Sequence, residues 1–309
     1  MQPALSLRAI SMIAQQVLNG LVLGGVYALF ALGFTLIFGI HRIMNMAHGA
    51  VFMSGAFIGL YMVRIGLPIW AALPIAMFGA GLISIFVEVI AFKPLRKLAL
   101  ADAELASVIS SIGAGLIILS VGQYLSKTQT MRFPFGTVPV DAIVVFGLRV
   151  TMLQLLMLGV AVLMVALLAY YLYRTAQGRQ IRAVAGNYRA AQLLGINPNA
   201  IFYRTFFLSG ALAGAAGVMV GLAFNAVQFL MGEPFLLKAF VAIILGGLGS
   251  VPGALIGGLV LGLLQSLSGA YLPALLVDAV IFLLLFVILM VRPDGLFAQS
   301  VTESPTKRV

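Results

Sequence analysis

Few side chains in this sequence can do chemistry, and the pattern of those few is informative. The chain has two histidines, eight acidic residues and no cysteine. His41 and His48 stand apart from the acids, and the acids are scattered, so metal ligation and paired acid–base work have no cluster to use. Thiol chemistry and disulfides are excluded. No G-x-x-x-x-G-K-[ST] loop occurs, so ATP is not bound by that route. What remains is a set of isolated polar groups set into apolar surroundings. Asn45 is placed to cap a following helix. A helix N-terminus opening into a cavity attracts a carboxylate, and His48, three residues on, shares a face with Asn45. The plain alternative is a satisfied structural histidine. Gly246, Gly247, Gly249, Ser250 and Gly253 offer bare backbone to a polar solute, or else a close helix crossing. Glu88 and Asp278 lie inside apolar stretches, where carboxylates are functional candidates. Pairing is the competing role: Glu88 stands five residues before Lys93, and Asp278 lies near a helix end from which a charge reaches the interface. Tyr27, Asn225, Gln228 and Gln265 complete the polar candidates for a solute pathway.

The elements that must position these groups are membrane helices. The chain is 62% hydrophobic and 8% charged, with a mean hydropathy of +1.15, whereas soluble domains are about a quarter charged. Apolar stretches long enough to cross a bilayer fall near 13–38, 69–92, 105–125, 151–173, 201–224 and 272–291. Two further stretches, 45–63 and 236–267, are apolar but interrupted, and read as broken or short helices. The expectation is an all-α bundle of about eight spans (eight or nine), with the whole chain, 1–309, as one domain. One interrupted stretch falls in each half, which fits an internal repeat. Paired breaks also mark a solute pathway, because non-helical backbone at membrane depth needs protein or a wet cavity around it. Glycine-mediated packing is the other reading.

Charge sorts the loops. Eighteen Lys and Arg against eight acids leave a net +10. The excess sits between spans, which makes it a topology signal and not a nucleic-acid footprint. Residues 93–104, 174–204 and the tail after 291, with Arg292, Lys307 and Arg308, are placed in the cytoplasm. The mixed segment 126–150 and the N-terminus go outside. The first apolar run is too long for a signal-peptide core and reads as a retained span.

The arginine loop carries the most pattern. In Gly178–Asn199, Ile181, Val184, Ala185, Tyr188, Ala191 and Leu194 recur at helical spacing. Gly195 is a natural stop, and Asn197–Pro198 reads as an N-cap and first-turn proline. A short amphipathic helix over 179–194 follows. It either lies on anionic lipid or docks a cytoplasmic partner.

Arg189-Ala190-Ala191 followed by Gly195 resembles the Ala-Ala-three-residues-Gly core by which ABC import permeases engage their ATPases, with Arg189 where Glu is usual. Gly24-Gly25-Val26-Tyr27-Ala28-Leu29, Asn45-Met46-Ala47-His48-Gly49, Lys93-Pro94-Leu95-Arg96, Gly246-Gly247-Leu248-Gly249-Ser250 and Arg292-Pro293-Asp294-Gly295-Leu296-Phe297 follow in order. Together they resemble the branched-chain amino-acid ABC transporter permease family over about residues 15–297. The resemblance implies a non-catalytic inner-membrane subunit paired with a homologous permease, two cytoplasmic ATP-binding subunits and a periplasmic solute-binding protein. ATP is then used by the partners, and this chain needs no cofactor. Coupling falls to the 176–197 loop through Arg179, Arg182, Arg189, Ala190, Ala191 and Gly195. The pathway falls to Tyr27, Asn45, His48, Asn225, Gln228, Gly247, Gly249 and Ser250. An ion-coupled secondary transporter, with Glu88, Asp278 and His48 as coupling groups, is the alternative. A membrane enzyme is a weaker third.

Overall fold

The computed structural model describes residues 2–97, 100–139, 141–145, 147–292 and 295. Eleven α-helices are formed among them: α1 Gln2–His41, α2 His48–Arg64, α3 Ile69–Val87, α4 Leu100–Ser126, α5 Met152–Arg174, α6 Ala176–Gly186, α7 Tyr188–Leu193, α8 Pro198–Ala223, α9 Gly232–Gly246, α10 Val251–Tyr271 and α11 Ala274–Val291. Seven of the helical segments are long and apolar enough to cross a membrane. Two shorter helices, α2 with 17 residues and α9 with 15, complete the bundle.

The basic segments collect at one end of the bundle. There Arg96 donates to Asn199 Oδ1 at 2.6 Å, and Lys93 lies 5.8 Å from the centre of the Tyr203 ring. Arg42 and Arg182 line one cavity at the same end. The predicted grouping of basic residues holds for 93–97, 174–204 and Arg292. Pro293, Asp294, Leu296, Phe297, Lys307 and Arg308 lie outside the described residues.

The opposite end holds a feature the sequence reading missed. Strands β1 (Ala142–Val145) and β2 (Leu148–Thr151) pair antiparallel, with Ile143 opposite Val150. β-branched residues favour such a ribbon, and Gly147 takes the positive φ that the turn needs. Gln15 clamps it to α1: its Nε2 donates to the Arg149 carbonyl at 2.9 Å and its Oε1 accepts from the Arg149 N–H at 3.0 Å. Thr151 then caps α5 in a reciprocal box with Gln154.

Both interrupted stretches contain a short helix, as expected, and the structure locates their irregular backbone. In 45–63 the irregular part is 42–47, and 48–64 is one unbroken helix. Arg42 turns the chain with φ +53, and the chain runs back into the bundle until His48 reaches Gly33 and Phe30 of α1. Those residues stand 8 and 11 positions before His41, so α2 begins roughly 12–17 Å inside the end of α1. The stretch 236–267 is two antiparallel helices, α9 and α10, joined by Gly247–Ser250. Gly247 and Gly249 take φ of +95 and +81 there, which side-chain-bearing residues rarely do.

Helices α1 and α8 are the buried axis, whereas α4, α5 and α11 are mostly exposed. The α1–α10 contact is a small-residue seam. A methyl group on Gly262 would overlap Gly24, and one on Gly258 would overlap Ala28. In lipid, close backbone approach replaces the hydrophobic drive between helices. Gly113 of α4, by contrast, has open space where a Cβ would go. Gly262→Val should therefore cost about 3 kcal/mol or more from overpacking and lower the unfolding temperature of the detergent-purified protein. Gly113→Ala should leave it unchanged or slightly higher.

Candidate functional site

The proposed pathway residues do not form one cluster; they occupy four places. The first is the start of α2. Asn45 Oδ1 accepts from the Ala47 N–H at 3.1 Å, while Ala47 itself stands at the N-cap position without a side-chain cap bond. Asn45 thus shapes the turn that enters the helix and does not cap it, because the helix starts two residues later than a cap at 45 requires. Met46 N–H donates to Ser111 Oγ of α4 at 3.1 Å. Asn45 is buried, and its Nδ2 has no hydrogen-bond partner among the described residues.

His48 is held on every side. The Phe30 carbonyl can only accept, so His48 Nε2, at 3.2 Å, carries the hydrogen. Nδ1 then accepts from Ser209 Oγ at 3.5 Å. The ring stacks on Phe30 at 4.6 Å and meets Phe34 edge-on. With no exposed surface, the side chain locks α2 to α1 and α8.

Beside it the N-termini of α2 and α9 meet. A methyl on Gly49 or on Gly232 would collide with the other residue's backbone. This contact joins the break in the first half to one in the second half, at 224–231. A cavity of about 230 Å³ opens here, lined by Met46, Ala50, Ile112, Leu116, Leu119 and Glu233 among others. Glu233 was not singled out from sequence. It lies one residue inside a helix whose start could be found only by folding.

Asn225 and Gln228 form the second place, on the loop leading into α9. Asn225 takes φ +45, a left-handed conformation that asparagine tolerates. Its Oδ1 accepts from the Phe133 N–H at 3.1 Å. Met131 and Val227 exchange two backbone hydrogen bonds of 2.8 Å, and Gln228 is exposed.

Gly247, Gly249 and Ser250 occupy the third place, at the arginine-rich end and away from Asn45. They abut or line a cavity of about 640 Å³ with Thr35, Arg42, Ile181 and Arg182. Ser250 caps α10 by accepting from the Gly253 N–H at 3.1 Å.

The fourth place is a polar group between α1, α9, α10 and α11. Tyr27 hydroxyl donates to Gln265 Oε1 at 2.6 Å, and Lys238 Nζ lies 3.3 Å from Asp278 Oδ1. Lys238 also stands 6.0 Å from the centre of the Tyr27 ring. Asp278 thus has a partner that sequence spacing could not supply.

Glu88 has one as well, and it is not Lys93. The helix widens into a π turn over Glu88–Phe92 and tightens into a 3₁₀ turn over Lys93–Lys97, where Pro94 removes a donor. That change of pitch brings Arg96 round to Glu88 as an ion pair. The guanidinium lies 4.0 Å over the Phe202 ring of α8, which in turn stacks with Tyr188 of α7.

The arginine loop is two helices, not one. Asn187 breaks it in extended conformation, and its Oδ1 accepts from the Ala190 N–H at 3.0 Å to start α7, the usual work of a capping asparagine. Gly195 stops α7 with φ +78, and Asn197 caps α8 ahead of Pro198. Ile181, Val184 and Ala191 are buried within the bundle core, so the apolar face is used on the protein and not on lipid. Arg179, Arg182, Arg189, Ala190 and Gly195 are exposed. Leu193 and Leu194 are 89% and 79% exposed, although the helical spacing had put Leu194 on the apolar face. The kink at Asn187 turns it outward.

A many-spanned bundle with re-entrant breaks and an exposed basic bracket defines a membrane permease. The chain belongs to the family described as the permease component of branched-chain amino acid transport systems, whose model matches residues 16–289. It is 32% identical to the high-affinity branched-chain amino acid transport system permease protein LivH of Salmonella typhimurium, covering 94% of this chain and 96% of that one. It is 33% identical to BraD of Pseudomonas aeruginosa, a permease protein of the same description, over 94% and 97% of the two chains. A probable LivH of Methanocaldococcus jannaschii is 30% identical over 84% and 82%.

The buried pair yields a test. Arg96→Ala strands Glu88 without its counter-charge, which typically costs about 3–5 kcal/mol, and the unfolding temperature in detergent should fall sharply. Joint replacement, Glu88→Gln with Arg96→Gln, should recover more than half of that loss.

Proposed function

We propose that this chain is the membrane-spanning permease of a binding-protein-dependent ABC importer that carries branched-chain amino acids or related small polar and carboxylate solutes. The observation that supports this best is the α6–α7 bracket. One side of it is fastened into the bundle by Ile181, Val184 and Ala191. The other presents Arg179, Arg189, Leu193 and Leu194 to whatever lies beyond the basic end. Exposed leucines beside arginines make a surface suited to a protein partner, with apolar anchors and a charged rim.

In this reading the partners are two cytoplasmic ATP-binding subunits, a homologous second permease and a periplasmic solute-binding protein, all at the bacterial inner membrane. ATP is consumed by those partners, and this chain needs no cofactor and forms no covalent intermediate. Closure of the ATPases pushes on α7. Tyr188 passes the displacement to Phe202, and Arg96 passes it to the end of α3, so that α8 and α3 move together. The spans tilt about the α2–α9 junction, and solute crosses beside the breaks at 42–47 and 224–231. The ion-coupled alternative loses ground because Glu88 and Asp278 are both paired and His48 is enclosed.

Leu193→Glu with Leu194→Glu tests the docking surface. The altered chain should still reach the membrane and bind its sister permease. Co-purification of the ATP-binding subunits should fall by about tenfold or more, the loss of one or two central anchors, and leucine uptake should fall with it. Normal uptake by that variant would remove the bracket from the mechanism.

A further inference from the structure

The Lys238–Asp278 pair lies at the surface of the bundle, within the apolar helices α9 and α11. Asp278 sits four residues into α11, about 6 Å along the axis, farther than its one-methylene side chain reaches back to the helix start. It turns instead toward Lys238. The neighbouring polar group is deeper still: Gln265 stands six residues, about 9 Å, before the end of α10. Yet the Asp278 side chain is 60% exposed and that of Lys238 is 13% exposed. Leu275 and Phe282, about one turn to either side of Asp278 on α11, and Leu237, next to Lys238 on α9, are exposed and apolar. An ionised carboxylate facing hydrocarbon costs several kcal/mol. This surface therefore meets water or another polar surface in the working protein.

Its chemistry is specific. One cation and one anion stand side by side, the anion accessible and the cation largely covered, beside exposed aliphatic and aromatic side chains. A zwitterionic α-amino acid with a branched aliphatic side chain is the complement of that arrangement: a carboxylate for Lys238, an ammonium for Asp278, and apolar atoms for the flanks. The Lys238 ammonium lies beside the Tyr27 ring, 6.0 Å from its centre, and Tyr27 is itself fixed by its bond to Gln265. The cation is thereby positioned while its partner anion stays accessible.

We infer that Lys238 and Asp278 form a zwitterion-binding subsite on the wall of the translocation pathway, where the pair opens to take the solute's two charges and re-forms when it leaves. The net charge of the wall is unchanged in both states, so no counter-ion need accompany the solute. The inference rests on the importer reading above.

The experiment uses the complete importer in proteoliposomes, with radiolabelled leucine as the probe. Lys238→Met, Asp278→Asn and the double variant are compared with wild type. All three should retain the second permease and the ATP-binding subunits and should hydrolyse ATP. Leucine uptake should drop about tenfold or more in each, the scale of losing one charged contact, through a higher KM. Asp278→Asn should also lose its preference for leucine over 4-methylpentanoate, which lacks the amino group. If the double variant regains wild-type uptake, the pair is only structural, since neutralising both partners removes the stranded charge, and the subsite is refuted. If the variants shed the second permease, the pair is a subunit contact and the subsite is equally refuted. A wild-type complex that assembles and hydrolyses ATP but takes up no leucine rejects branched-chain amino acids as the solute, and the subsite with them.

Discussion

Every peptide group inside a bilayer must find a partner within the protein, and this constraint shapes the whole molecule. Helices satisfy it internally. The segments 42–47 and 224–231 are not helical, and α2 and α9 both start from them within the bundle. They are possible only because other parts of the chain supply the missing partners. Ser111 takes the Met46 N–H, Asn45 takes that of Ala47, and Met131 and Val227 bond each other's backbones. The Gly49–Gly232 contact then brings the two helix starts together without side chains between them. Had either segment faced lipid, its free N–H and C=O groups would have cost several kcal/mol each.

The same constraint explains why the buried helices α1 and α8 carry nine glycines, whereas the exposed α4, α5 and α11 together carry four. Helix α1 is gripped by α10 through Gly24, Gly258 and Gly262, and α8 is gripped by α2 and α3 through Gly210, Gly214 and Gly217. Close approach gives dispersion contact over long stretches of backbone, which is the main attraction left between helices once water is absent. A rigid axis of α1 and α8 results. Around it stand α4, α5 and α11, with most of their surface turned outward. The lock made by His48 sits on that axis, where Phe30, Phe34 and Ser209 close around the ring.

At the basic end, rigidity and exposure are combined in one bracket. The ion pair of Glu88 and Arg96 fixes the pitch change after α3, the guanidinium rests on Phe202, and Phe202 stacks with Tyr188 of α7. The turn after α3 is thus linked to the consecutive helices α7 and α8, about a hundred residues further on, through one aromatic ring. The large cavity next to them, lined by Arg42, Arg182 and the α9–α10 turn, leaves room for the bracket to move against the axis.

The bundle was legible in the sequence because transfer from water to hydrocarbon depends on composition along a short window. Runs of apolar residues and the gathering of basic residues between them identified the spans and grouped the loops. Local backbone chemistry was legible for the same reason. Gly195 as a stop, and Asn197 with Pro198 as a start, act through neighbours on the chain. The residues that meet across the fold were not legible. Arg96 reaches Glu88 only through a π turn and a 3₁₀ turn. Lys238 reaches Asp278 from another helix. Glu233 comes to the α2–α9 cavity only because two breaks distant in sequence adjoin. Asn187 turns Leu194 outward against its own periodicity. Hydropathy and capping are properties of sequence neighbours, whereas ion pairs, cavities and exposed faces depend on which helices pack together, and only the tertiary structure decided that.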